Sequence, residues 1–289
     1  ILIERMWSKM KLFLYEMRKI FSWKLILLVI LLNVLMFKLM IEFDLKHFPN
    51  GRPDGDTFKI EQQLIPKYGP KIDENEFSEI KEVYQQKVKK ADYYLANDPD
   101  AIAAGLESYE KFSHYDENDE LQMNYHDELF FNRNLDFPWE LQTYEWYLNE
   151  YQYAEQSIRV KMADATTDAQ KKHFEQLLKE NKLPFYSDRV PYNFKMYKTS
   201  VAITIFLSII ILISPIYLRD VQANVVSLQY ASKKGRKTFR VKWFAGLIST
   251  ILLTSILLTI YMGLYKSNDT SSHFDLPLHA LDRYDHWYD

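Results

Sequence analysis

Three apolar runs, residues 23–43, 196–217 and 243–265, constrain this chain more than any other feature. Each is roughly 20 residues long, and at about 1.5 Å of rise per residue a helix of that length crosses the hydrocarbon core of a bilayer. Such segments exclude a purely soluble fold for the 289 residues. The mean hydropathy is nevertheless negative, because a long polar insert separates the first run from the second. The expected fold class is mainly α: a helical integral membrane protein with three transmembrane helices and a large α-helical extracytoplasmic domain.

The short charged segments orient the chain. Residues 1–24 carry six Lys and Arg against Glu4 and Glu16, and residues 218–242 carry seven against Asp220. The insert from 42 to 198 holds 31 Asp and Glu against 20 Lys and Arg. Basic residues thus concentrate on two segments that an odd number of crossings separates from the insert, which places the N-terminus in the cytoplasm and the insert outside. Residues 1–22 read as an amphipathic interfacial helix. Ile3, Trp7, Met10, Leu14, Met17 and Phe21 form one stripe and the lysines and arginines fill the rest, so membrane lipid is an expected partner. Within the first run, Asn33 is an intramembrane polar residue that should face a neighbouring helix or a polar cavity, and Lys38 reads as a snorkelling anchor.

Residues 44–195 are too aromatic for a disordered linker, and their pattern is helical. Phe77, Ile80, Tyr84, Val88 and Ala91 share one face of a helix ending near Ala96. Pro99 opens a second helix reaching about Tyr109, Pro138 precedes a long one over 139–162, and Thr167 with Gln170 resembles a capping box. No valine-rich alternating run suggests a sheet. His114 and His126 flank a run of acids, but H-E-x-x-H is missing and the acids lack the spacing of a calcium loop. The tail, residues 266–289, spaces His273, His279 and His286 too widely for a compact metal site. No metal and no catalytic residue is assigned. The chain has no cysteine, and none of its seven glycines forms a phosphate-cradling motif. It begins at Ile1 and stops soon after an apolar run, as a portion of a longer protein would.

Between the second and third runs, residues 218–242 form a short connector. Asp220 to Ser227 can make a short helix with Val221, Val225 and Leu228 on one side, and Asp220 in its first turn would suit the helix dipole. Lys233, Lys234, Arg236, Lys237, Arg240 and Lys242 then make a basic loop. Pro215, near the inner end of the second run, is either a hinge or a plain terminator.

This connector resembles the cytoplasmic loop of ABC-2 type transporter permeases: an acidic residue after the second span, a short helix, a Leu-Leu-Ser-like stretch, a basic turn and a lysine opening the third span. Asp220, Leu228, Ser232, Arg236, Lys237 and Lys242 fit that order, and Tyr15–Phe21 resembles the helix entering the first span. The long insert is similar to that of the subset with a large extracellular domain, as in sodium-efflux-like and peptide-resistance-like permeases. Ala223 and Asn224 stand where a Gly-Thr pair is common. The family has six spans, so this chain would be the N-terminal half.

The resemblance implies a permease subunit of an ATP-binding cassette exporter in a bacterial cell membrane. It would pair with a second permease subunit and couple ATP hydrolysis on a separate ABC ATPase subunit to efflux of an ion, drug, lipid or peptide. Asp220, Val221, Asn224, Val225 and Leu228 would be the ATPase-coupling residues. ATP and magnesium would bind the partner, with no cofactor on this chain, no enzyme activity of its own and no nucleic-acid partner. The rival from another class is a membrane-anchored surface receptor or accessory protein whose ectodomain binds a peptide or cell-wall ligand. An ectoenzyme ranks third, for want of a catalytic constellation.

Overall fold

The computed structural model describes residues 2–282, with the side chains of residues 2–9, 217, 228, 230, 233, 234, 236 and 237 outside that description. Expectations placed on Ile3, Trp7, Leu228, Lys233, Lys234, Arg236, Lys237 and His286 therefore fall on side chains outside the described residues.

The chain is overwhelmingly helical, and most boundaries have a local cause. Helix α1 (Leu2–Ile20) leads through Ser22 into α2 (Trp23–Met36), which continues through a π-turn, Phe37–Ile41, into α3 (Glu42–Lys46). Helix α4 (Asp54–Tyr68) stops at Gly69, whose φ of 75° only glycine adopts without strain. A reciprocal capping box, Asp73 with Glu76, starts α5 (Glu74–Ala96). Asp98 and Pro99 start α6 (Pro99–Ala103), Ser108 caps α7 (Tyr109–Ser113), and Asp119 caps α8 (Glu120–Asp127). Pro138 sits in the first turn of α9 (Phe137–Ala163), and the Thr167–Gln170 capping box begins α10 (Asp168–Lys179). After the two-residue strand β1 (Tyr186–Ser187) come α11 (Arg189–Gln222), α12 (Val226–Ala231) and α13 (Lys233–Tyr265). A short α14 (Ser271–Phe274) and strand β2 (Leu281–Asp282) follow.

Among the described residues, three helices are long and apolar enough to cross a membrane: Trp23–Lys46, Arg189–Gln222 and Thr238–Asn268. The expected window 196–217 thus lies inside a longer helix that starts earlier and ends later. The helix opened by Pro99 ends at Ala103 and not near Tyr109, where a second short helix begins, because Gly105 at a φ of 73° breaks the backbone between them. Lys38 does more than snorkel: its ammonium donates to Glu42 at 2.7 Å, and Lys46 pairs with the same carboxylate at 2.5 Å.

The chain divides into two compact units. The first comprises residues 2–48 and 193–269 and holds the three long apolar helices, apart from the first turn of α11. Its core includes Ile20, Val29, Tyr197, Val201, Leu212, Ala245, Leu253 and Tyr261. The opposite faces leave Leu31, Leu35, Phe206, Ile251 and Ile256 exposed, as helices meant for hydrocarbon do. Asn33 finds the expected interhelical partners. Its amide donates to the Val29 carbonyl at 2.8 Å and to Ser208 Oγ at 2.9 Å, while the Tyr261 hydroxyl donates to Asn33 Oδ1 at 2.9 Å. Tyr197 in turn donates to the Tyr261 carbonyl at 2.6 Å. Four polar residues from the three helices thus satisfy one another.

The second unit comprises residues 49–192 and 270–282. One of its cores gathers Ile60, Leu64, Ile80, Tyr144, Tyr147 and Tyr186 together with Leu276, Ala280 and Leu281. A second is built from Leu95, Leu106, Phe112, Tyr125, Leu129 and Leu141, and a smaller one from Ile158, Phe174 and Leu177. Residues 266–289 are therefore not a separate tail in their described part. Strand β2 pairs in parallel with β1, Tyr186 opposite Leu281 and Ser187 opposite Asp282. The buried Glu61 carboxylate accepts the Ser187 N–H at 2.6 Å and lies 3.0 Å from His273 Nε2, while Phe58 stacks on the His273 ring. His273 is thus consumed by packing within this unit.

Leu281 is 1 % exposed, so Leu281→Ala should destabilise this unit by about 2–4 kcal/mol through lost burial and a residual cavity. Thermal or denaturant unfolding followed by near-ultraviolet circular dichroism, which reads the buried tyrosines, measures it.

Candidate functional site

The sequence-predicted residues that the structure brings together lie where α11, α12 and α13 meet in the first unit. Helix α11 contains no breaker after Pro215, so it runs past the expected end of the span and places Asp220 in its last turn. This corrects the expectation of a helix over Asp220–Ser227. The chain instead turns at Asn224, whose φ of 52° is a left-handed conformation that asparagine tolerates. The Ala223 N–H donates to the Arg219 carbonyl at 3.0 Å and the Val225 N–H to the Asp220 carbonyl at 3.2 Å, which closes the end of α11. The short helix then occupies Val226–Ala231.

The basic segment is also not a loop. Ser232 caps the N-terminus of α13 by accepting the Gly235 N–H at 2.9 Å, and residues 233–242 form the first turns of that helix. The corner between α12 and α13 is tight. A Cβ added at Gly235 would lie 2.1 Å from the Gln229 carbonyl oxygen, so only glycine allows the two backbones to approach.

Asp220 at the end of a helix faces the unfavourable pole of its dipole, and the structure offsets this with a lysine. Asp220 Oδ2 accepts from Lys242 Nζ of α13 and from Gln229 Nε2 of α12, the latter at 3.1 Å. Lys242 is 4 % exposed. A buried ammonium is stable only with its charge matched and its protons donated. One carboxylate therefore clasps three helices, two of which are long and apolar.

The remaining predicted residues divide around this clasp. Val221, Asn224 and Arg240 are exposed, and Val225 is half-buried. Pro215 lies inside α11, beside a cavity of about 380 Å³ that Asp220 also lines. Lacking an N–H, it leaves the carbonyl four residues earlier without its helical donor. The Ser214 hydroxyl donates to the Ile210 carbonyl next to that gap, at 2.6 Å. Asn33 belongs to the polar knot of the long helices and takes no part in the clasp.

Gln229, Gly235, Ser208 and Tyr261 were not singled out from sequence. Lys242 carried one readable signal of burial: it shares a helical stripe with Ala245 and Ser249, both fully buried. Among the described residues, no group of three or more His, Asp or Glu side chains converges as metal ligands would.

With its fold and clasp in view, the protein is defined as a helical chain bearing three helices long and apolar enough to cross a membrane. No protein family, characterised protein or solved structure matches it.

Asp220→Ala should cost about 3–5 kcal/mol, because it strands the Lys242 charge. The double variant Asp220→Asn with Lys242→Met should recover most of that loss. Melting temperatures in detergent for the three proteins measure both effects.

Proposed function

We propose that this chain is the N-terminal part of the permease subunit of an ATP-binding cassette exporter. A separate subunit hydrolyses MgATP, and the work reaches the permease through the corner formed by the end of α11 and helix α12. The observation that carries this reading is the clasp of Asp220, Lys242 and Gln229. It ties a six-residue helix to both flanking long helices, so that a displacement of α12 is handed to α11 and α13 together. A connector serving only to join two spans needs no buried ion pair and no glycine-only corner.

In this reading Asp220 and Lys242 transmit force, and the exposed Val221, Asn224 and Ser227 are the contact face for the ATPase. Pro215 loosens α11 just before the clasp, where bending costs least. The corner and the N-terminus lie in the cytoplasm, as their basic residues require, and the second unit lies outside. The pairing of β1 with β2 supports a common side for the two parts of that unit. Residues 49–192 and 270–282 fold together, so the two long helices between them must return the chain to the side it left. A second permease half completes the pathway.

A membrane-anchored receptor is the second reading, and one observation favours it. The second unit has cores of its own and a groove of about 670 Å³ between α9 and α10, lined by Tyr153, Val160, Lys161, Gln170 and Phe174. A receptor would bind its ligand there with no ATPase attached.

Pull-down from native membranes separates the two. Wild-type protein should retain an ATP-hydrolysing subunit, and Val221→Lys combined with Ser227→Trp should lower that retention about tenfold, the equivalent of 1.4 kcal/mol. The melting temperature should not change, because both side chains are exposed. Full ATPase retention and full transport by the double variant would reject the coupling role. Ligand capture by the second unit without any ATPase would establish the receptor.

A further inference from the structure

We infer that the cavity between α1 and the end of α11 is a binding site for one anionic phospholipid, held through its phosphate. The inference does not depend on an ATPase partner. It needs only that the long apolar helices lie in a bilayer.

The cavity has the two-part lining that such a ligand requires. Its floor is apolar, made by Ile20 of α1, Leu25 of α2, and Leu212 and Ile216 of α11. Ile20, Leu212 and Ile216 are buried, and Leu25 is half-buried. Its polar side carries Tyr15, Lys19 and Arg219, with Tyr15 and Arg219 exposed. The cavity lies where the sequence passes from hydrocarbon to headgroup: α11 changes from the run Ile209–Ile213 to Arg219 and Asp220 within three turns, and α2 opens with Trp23 and Lys24. A volume of about 380 Å³ suits a headgroup and its glycerol, with the acyl chains remaining in the bilayer.

Charge decides the kind of lipid. Two carboxylates, Glu16 and Asp220, also line the cavity, but each already holds a lysine. Lys19 donates to Glu16 at 3.0 Å and lies 4.5 Å over the Tyr15 ring, and Lys242 donates to Asp220. Arg219 has no ion pair among the described residues, so its guanidinium is left as the surplus charge. A guanidinium binds a phosphate diester through two parallel N–H donors, which a lysine cannot match. A zwitterionic headgroup would bring an ammonium toward Arg219 and Lys19 and is disfavoured. Free phosphate would gain nothing from the apolar floor. Because Asp220 belongs both to this cavity and to the clasp with Lys242, a lipid seated here touches the joint between α11 and α13.

The test uses the full chain purified in detergent and incubated with phosphatidylglycerol or phosphatidylcholine, with retained lipids counted by native mass spectrometry. One phosphatidylglycerol should persist, about tenfold over phosphatidylcholine. Arg219→Gln should abolish that preference, while Arg18→Gln, an exposed charge outside the cavity, should leave it intact. Equal retention of the two lipids by wild-type protein would overturn the inference, and so would an unchanged preference in Arg219→Gln. Displacement of phosphatidylglycerol by millimolar inorganic phosphate would also overturn it, in favour of a free-anion site. The wild-type comparison stands even if the variant fails to fold. Since the readout is lipid binding, its failure is distinguishable from failure of the coupling role, which pull-down and transport report.

Discussion

Hydrocarbon offers no hydrogen bonds, so every polar group carried into it must be matched from within the protein. The first unit is arranged around that constraint. Asn33, Ser208, Tyr261 and Tyr197 form a chain of donors and acceptors across the three long helices. Ser208 and Thr204 bond backward along their own helix and are fully buried. Met17 and Ser249 meet at 3.1 Å, sulfur to hydroxyl, where α1 packs on α13. Each contact is worth little alone. Each unmatched group would cost more than the contact gains, and that asymmetry fixes how the helices are rotated.

The same rule at higher stakes produces the clasp. Lys242 must be neutralised because it is buried, and the carboxylate that does so sits at the end of a helix whose dipole disfavours it. Neither charge is well placed alone; together they hold α11, α12 and α13 in one geometry. Such a joint resists small displacements and passes larger ones on, since separating the pair exposes two uncompensated charges. Pro215, which removes one hydrogen bond from α11, and the left-handed turn at Asn224 lie on either side of it.

The second unit is organised by apolar burial, with tyrosine, phenylalanine and leucine in place of disulfides that a cysteine-free chain cannot form. Its buried polar groups include Asp56, Asp98 and Glu61, and the last of these ties the Ser187 backbone to His273. That contact fastens residues 270–282 to a domain whose other part ended some eighty residues earlier, so this unit cannot be completed until the last long helix has been made.

Much of this was legible in the sequence because it depends on local physics. Apolar runs identify long helices, capping boxes at Asp73 and Thr167 mark helix starts, and the position of Asn33 in an apolar run demands a partner. The sequence could not say which partner, since Ser208 and Tyr261 lie far along the chain and meet Asn33 only through packing. The ends of α11 and α13 were misplaced for a related reason. A run of basic residues reads as a solvated loop when nothing shows that a neighbouring helix buries Lys242, and Asp220 reads as a helix start when its lysine is unknown. By itself the sequence determined the helical class, the three apolar helices and the position of the polar connector. Only the tertiary structure decided that Asp220 and Lys242 share a charge-matched joint and that residues 270–282 complete a distant domain, because both depend on contacts whose energy no local window of sequence contains.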